Sequence, residues 1–268
     1  MIVEIDSFDA YHDFILDISC DPLLRDPHFT YNSDNLYGSL QEKDNFAFAV
    51  MTDGTIQGLF VWLIHPDEQY MEMLVGLTKL EASFSEMLCY LEGRYQGYQA
   101  DFVLNPQNKV LMRVLMERNA VFDREQQKMV LVGAPPETST DCVEEYSEKW
   151  RNEYCALHRT DTYWTAERVL SALDRFRVLL AVEQHQILGY LDVTYCYDTN
   201  EPYDLLVRSG LPFQEYAVPL LAEAVKRNNS KQMMVLVYTD AAEEIAAYTA
   251  SGFEKIEGQN SVYVSYQL

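Results

Sequence analysis

Apolar residues along this chain keep two spacings, and the switches between them mark the elements. An apolar run at 2–5 predicts a short strand. Phe8, Tyr11, Phe14 and Ile15 then fall at helical spacing and predict an amphipathic helix over 8–19. Pro22 and Pro27 make 21–27 a loop, and a second helical piece spans 33–41. Strands at 46–51 and 56–64 turn at Asp53-Gly54, a pair that suits a tight hairpin. A strand at 70–76 follows, then a helix that Thr78 and Glu81 open in the form of a capping box. A buried-type strand at 101–104 leads to a helix with Asn105 as its cap and Pro106 at its first position. Strands at 121–122 and 128–132 close this half.

Residues 133–140, rich in Pro, Thr and Ser, form the clearest linker. Helical stretches at 143–158 and 165–173 come next, with no evident counterpart of the opening strand. Strands at 177–183, 187–195 and 203–207 are followed by a helix at 212–227 and an apolar strand at 233–238. Asp240 and Glu243 mark a second capping-box start, for a helix that ends at Ser251-Gly252. Strands at 253–256 and 261–266 finish the second sheet.

The two halves repeat one pattern. Phe48 to Gly58 and Leu180 to Gly189 are each an apolar strand, a polar turn and a second strand that begins beside a glycine, about 132 residues apart. The interval from Gly58 to Asn108 nearly equals that from Gly189 to Asp240, and both lead into a helix, a loop and a strand. A period this long marks duplicated domains rather than solenoid repeats. The expected class is therefore α/β (α+β), with two copies of one unit: 1–133, a linker at 134–141, and 142–268, each a mixed, mostly antiparallel sheet flanked by helices.

Charge narrows the partners. The 268 residues hold 42 acidic and 20 basic side chains, a formal net charge of −22. Such a field repels nucleic-acid phosphates and anionic lipid heads, so neither is an expected partner. It aids solubility and would attract a cationic acceptor such as a small amine or a basic peptide. No run approaches the ~18 apolar residues that would cross a bilayer, and the start has neither a basic segment nor an apolar core, so a cytoplasmic protein is expected. Cys20, Cys89, Cys142, Cys155 and Cys196 are scattered, which suggests reduced, mostly buried thiols. His12, His28, His65, His158 and His185 form no spaced ligand set, so no metal site is expected. A homodimer is among the assemblies the sequence allows.

The order of elements, together with Asp240, Tyr248 and Gly252-Phe253, resembles the GNAT superfamily of N-acyltransferases, where Asn, a later Tyr and Gly-Phe are usual. Asn108 and Ala120-Val121 echo the same segment in the first copy, which lacks the tyrosine. The resemblance implies a tandem GNAT protein whose second copy transfers an acetyl or other acyl group from acetyl-CoA to a primary amine. It implies that the donor's arm pairs with the fourth strand at Leu205, Leu206 and Val207, with Arg208, Gln214, Tyr216, Ala217 and Asp240 around the remainder. Tyr248 would protonate the departing thiolate. Asp204 would take the amine's proton, with Asp192 a weaker candidate and Glu72 its counterpart in the first copy.

One departure cuts against this. The family holds the donor's pyrophosphate on a glycine-rich loop at a helix start, where glycines admit the phosphate and free amides bind it. Here that stretch reads Pro212-Phe-Gln-Glu-Tyr-Ala217. It has no glycine, Pro212 lacks an N–H, and Glu215 adds like charge. The rival expectation is a non-catalytic GNAT-fold protein that binds a ligand or partner.

Overall fold

The computed structural model describes residues 1–268 except 28, 30, 32, 134–136, 230 and 231. His28 and three residues of the expected linker therefore lie outside the described residues. The chain runs β1 (Ile2–Ile5), α1 (His12–Ser19), α2 (Ser33–Ser39), β2 (Asn45–Thr52), β3 (Thr55–His65), β4 (Tyr70–Leu77), α3 (Glu81–Arg94), β5 (Gln99–Leu104), α4 (Lys109–Glu117) and β6 (Val121–Phe122). It continues through β7 (Gln126–Leu131), β8 (Val143–Glu145), α5 (Arg151–Leu157), α6 (Ala166–Ser171), β9 (Phe176–Glu183), β10 (Gln186–Thr194), β11 (Thr199–Asn200) and β12 (Pro202–Val207). The last elements are α7 (Phe213–Arg227), β13 (Gln232–Tyr238), α8 (Ala242–Ala250), β14 (Phe253–Lys255) and β15 (Val262–Gln267).

Two compact units result, and they do not divide the chain at the linker. One comprises Met1–Gln126 with Glu257–Leu268, the other Gln127–Ile256. The first unit has a seven-stranded sheet in the order β1-β2-β3-β4-β5-β15-β6. The second has two four-stranded sheets, β12-β10-β9-β8 and β11-β13-β7-β14. The strand expected to finish the second sheet, β15, instead runs antiparallel to β5, with Val262 opposite Leu104 and Gln267 opposite Gln99. In exchange, β7 joins β14, with Phe253 opposite Leu131. Each copy thus takes its closing strand from the other copy's stretch of chain. The hydrophobic pattern cannot reveal this, because both strands alternate in the same way.

The elements form where the apolar spacing placed them. In the first unit Phe48, Phe60, Trp62, Phe84 and Phe102 meet between the sheet and α3 and α4, and all are buried. Burying each such side chain contributes about 1.5–3 kcal/mol. Phe8, Ile15, Ile18 and Leu36 of the α1 and α2 region cover the other face with Leu59 and Val75. The hairpin turn at Asp53-Gly54 has both residues at positive φ, as a twist-matched turn requires. The second unit keeps this geometry at Gln184 and His185 without a glycine.

Four local expectations fail. The stretch 143–158 is not one helix: Val143–Glu145 is β8, antiparallel to β9, and it supplies the opening strand the sequence seemed to lack. Three residues, two of them glutamates, are too few to show an alternation. The β5–α4 helix is capped by Asn108, whose Oδ1 accepts from the Leu111 amide at 3.1 Å, while Asn105 turns back on Gln107. Neither capping box forms, since α3 and α8 begin after Leu80 and Ala241, with no side-chain cap. Cys20, Cys89 and Cys196 are exposed rather than buried, each near the end of an element or on a helix's outer face, and all five cysteines are free. Among the described residues no helix is long and apolar enough to cross a membrane.

If β15 belongs to the first unit, Val264→Ala should cost ~2 kcal/mol there, because Val264 is buried in the cluster of Trp62 and Phe102. Hydrogen exchange would read this as lost protection in β5 with β13 unaffected. Loss in β13 instead would contradict the exchange.

Candidate functional site

In each unit the fourth strand of the sheet carries a one-residue bulge beside a fork. In the first unit β4 and β5 pair in parallel from Tyr70 with Gln99 to Met73 with Phe102, and the bulge falls at Leu74. In the second, Thr199 and Asn200 pair in parallel with Gln232 and Met233. Beyond that point β12 leaves β13 and pairs only with β10, with Tyr203 as the extra residue. Bulges of this kind end pairing and re-aim side chains. The closed end of the second fork is pinned by buried Asn200, whose Nδ2 donates to Asn228 Oδ1 at 2.8 Å. At the open end, Gly189 lies where a Cβ would come within 2.7 Å of the Leu206 carbonyl, so the glycine in the repeated pattern lets β12 lie close to β10.

The amide of Arg208 bonds to Leu188, so the backbone groups of Leu206 face β10 and those of Leu205 and Val207 face the fork. The residues after the two bulges differ: Val75, fully buried, in the first unit and Asp204 in the second. Eight residues beyond Asn108 and Asp240 stand Met116, exposed, and Tyr248, buried. The first unit's amides at the β5–α4 junction are also occupied: Asn105 donates to the Pro22 carbonyl at 3.1 Å and Asn108 to that of Leu24 at 3.5 Å. Polar groups line the fork in the second unit and apolar ones in the first.

Asp204 is the centre of a buried network. It lies directly opposite Asp192 across β12 and β10, so two carboxylates face one another on the same side of the sheet. Such like-charged pairs are unfavourable unless a cation intervenes. His158, just after α5, fills that place, with Nε2 2.8 Å from Asp192 and 3.8 Å from Asp204. Its Nδ1 donates to the Arg159 carbonyl at 2.8 Å. Tyr154 donates to both Asp192 oxygens at 2.9 Å, and Tyr190 donates to Asp204 at 2.6 Å. The imidazole stacks on Tyr190 with ring centres 4.9 Å apart.

A proton is held tightly here. Burial disfavours the charged imidazole, but its bonds to Asp192 and the Arg159 carbonyl and the two carboxylate charges together raise its pKa. Burial likewise pushes Asp192 up to about 6, against the bonds from His158 and Tyr154. The sequence reading found no ligand set for any histidine. The structure brings His158, Asp192 and Asp204 together with donor atoms within 4.8 Å of one another. As they stand, 2.8 Å between Nε2 and a carboxylate oxygen is a hydrogen-bond distance, shorter than the ~3.4 Å between two ligands of one tetrahedral ion.

Above this network three groups meet at the fork. Arg159 sets Nη1 3.4 Å from Asp204, Nη2 3.2 Å from the Leu205 carbonyl and Nη2 4.0 Å from Glu244 on α8. Tyr248 packs edge-on to Phe253, with ring centres 5.4 Å apart, and its hydroxyl has no hydrogen bond among the described residues. Burial raises it well above the ordinary phenol range, helped by Glu244, Glu201 and Asp204 and opposed by Arg159. Glu201, half-buried between β11 and β12, accepts no hydrogen bond on its carboxylate among the described residues. Burial pushes it up to about 7, with only Lys128 opposing.

Of the expected binding residues, Leu205, Leu206 and Val207 lie at the fork, but the others turn away. Arg208 is bound to the Ile187 carbonyl and to Glu153, the latter at 2.9 Å, on the far side of β12. Gln214 ties α7 to α8 through the Glu243 carbonyl at 2.7 Å. Tyr216 and Ala217 are buried in the core beneath α7, which is where every fourth residue of an amphipathic helix must go. Asp240 is exposed at the end of β13. The start of α7 therefore does not fit a pyrophosphate. Sequence reasoning missed His158, Arg159, Tyr154, Tyr190 and Glu201. One signal was available: Tyr190 and Asp192 are polar at alternate positions of a strand that otherwise reads as fully apolar.

No protein-family model matches this chain, and no curated protein is similar to it in sequence. Its fold, however, is shared with many solved structures. A GCN5-related N-acetyltransferase from Sphaerobacter thermophilus superposes with a TM-score of 0.60 at 11% identity, over 82% of this chain and 80% of that one. A tandem GNAT protein from the clavulanic acid biosynthesis pathway gives 0.51 at 11% identity, over 100% and 98%. A putative acetyltransferase from Pyrococcus horikoshii gives 0.56 at 11% identity, over 100% and 89%. The chain has the GNAT fold twice, in tandem.

His158→Ala should destabilise the protein by about 3–5 kcal/mol at pH 8, because it leaves Asp192 and Asp204 facing each other with no imidazole between them and Asp192 with no basic partner. Both raised groups favour folding at low pH and lose that contribution as pH rises through their folded values. The variant forgoes the imidazole's part of this, but a proton on Asp192 at pH 5 removes the repulsion from Asp204 that makes the loss large at pH 8, so the loss should be smaller at pH 5. Denaturant titration at the two pH values checks it, and equal losses would contradict the shared proton.

Proposed function

We propose that the second unit transfers an acyl group from a thioester to a primary amine, a small molecule or the side chain of a basic peptide. The GNAT fold supports acyl transfer in general, and acetyl-CoA is the first donor to test. One observation carries the reading: the bulged strand β12 leaves β13 with its backbone edge unpaired, where Asp204, Glu201 and Tyr248 converge.

The chemistry assigned to these residues follows from their partners. Asp204 was the expected base, but it accepts from Tyr190 and lies beside Arg159 and His158, so its oxygens are turned to these partners and not to a substrate amine. Its task in this reading is to hold Arg159 and the strand in position. Glu201, with no such bonds and a pKa near neutrality, is the better base for the attacking amine. As the amine nitrogen bonds to the acyl carbon, its proton passes to Glu201. Charge developing on the acyl oxygen is met by a backbone N–H on the fork side of β12, at Leu205 or Val207. When the carbon–sulfur bond breaks, the Tyr248 hydroxyl, which has no competing acceptor, gives its proton to sulfur.

A second reading, a binding protein without turnover, has its own support. Arg159 already occupies the Leu205 carbonyl and spans toward Glu244 across the mouth of the fork.

Thermal stabilisation separates binding from its absence, since a ligand at ~100 times its dissociation constant adds about 2.7 kcal/mol. Tyr248→Phe should lower kcat about a hundredfold with that stabilisation intact. Glu201→Gln should lower kcat/KM by a similar factor and flatten its rise through about pH 7, where the wild-type base loses its proton. Unchanged turnover in either variant would remove that residue from the mechanism, and saturable binding with no turnover would favour the second reading.

A further inference from the structure

The disagreement between the fork and the start of α7 points to the class of donor. We propose that the site takes an acyl thioester on an uncharged, pantetheine-type arm, and that nothing at α7 binds a pyrophosphate. This rests on the acyl-transfer reading above.

The arm's part of the site is present. Leu205 and Val207 turn their backbone groups toward the fork, where an extended amide-bearing chain can pair with the Leu205 amide and with Val207, the Leu205 carbonyl being held by Arg159 Nη2 at 3.2 Å. At the first turn of α7 the phosphate's partners are missing or engaged, whereas in the preceding turn the amides of Ser209 and Gly210, the latter at positive φ, carry no backbone bond among the described residues. Pro212, which precedes α7, has no N–H, and the amide of Glu215 is spent on the Pro212 carbonyl at 3.1 Å. Phe213 packs against the core, and Tyr216 and Ala217 are buried in it. The Glu215 side chain is exposed in the first turn, where it would repel a phosphate.

Each cation that could compensate is bound elsewhere. Arg208 pairs with Glu153 at 2.9 Å. Lys226 lies 3.6 Å from Glu223, and Arg227 pairs with Glu223 and Glu145. Both sit in the last turn of α7, ~20 Å from its start at 1.5 Å per residue. The net charge of −22 adds a long-range repulsion of polyanions. A neutral thioester meets none of these obstacles.

Thermal-shift titration with S-acetyl-pantetheine, acetyl-CoA and 3′-phosphoadenosine 5′-diphosphate tests the proposal. The two thioesters should bind within about threefold of each other, and the nucleotide should give no shift. Glu215→Lys should tighten acetyl-CoA about tenfold and leave S-acetyl-pantetheine unchanged. Protection by the nucleotide, or acetyl-CoA binding more than about tenfold tighter than S-acetyl-pantetheine, would overturn the proposal while leaving acyl transfer standing. If neither thioester binds, the acyl-transfer reading falls, and this inference falls with it.

Discussion

Two carboxylates that must not ionise alone set the terms for the second unit. Asp192 and Asp204 are in register on adjacent buried strands, where the low dielectric makes their repulsion large and water cannot relieve it. The imidazole between them removes that conflict. With it come a fixed ring orientation through the Arg159 carbonyl, two phenols that complete the carboxylates' bonding, and the turn that carries the Arg159 side chain to the fork. The polar floor of the site, the placement of β12 and the Arg159 guanidinium at the fork mouth thus depend on this imidazole.

The same constraint explains why the two copies have diverged. The first unit retains the bulge and the parallel pairing, but Val75 stands after the bulge and the nearby amides bind the loop carbonyls of Pro22 and Leu24. An apolar residue at that position needs no histidine, no phenols and no guanidinium, and α1 and α2 cover the sheet with side chains such as Phe8 and Ile15. One copy kept a polar interior whose parts support one another, and the other became an ordinary hydrophobic core.

Much of this was legible in the sequence because it follows from spacing. The repeat, most helices and strands, and the Asp53-Gly54 hairpin all appear in the apolar pattern and turn chemistry. The lack of a glycine in 212–217 was plain as well, but Gly210, two residues earlier and at positive φ in the turn between β12 and α7, was passed over. The convergence of the site was not legible. His158 comes from a helix end and Asp192 and Asp204 from two neighbouring strands, and no local signal says that the histidine meets them. Arg208 was misread for a related reason. Its position beside the fork was correct, but the partner that turns it away, Glu153, lies 55 residues earlier in the chain. Strand order was hidden as well, because alternation reveals which face of a strand is buried and says nothing about its neighbours.

The exchange of closing strands reaches beyond stability. During synthesis the first copy's sheet must wait, with one edge of β5 open, until about 160 further residues have been made and β15 arrives. Loop closure over that span is slow, and an open edge meanwhile invites pairing with other chains. A message truncated in the second half before β14 would yield no finished domain at all. The duplication is therefore locked in: neither half can be lost, shuffled or expressed alone without leaving the other incomplete.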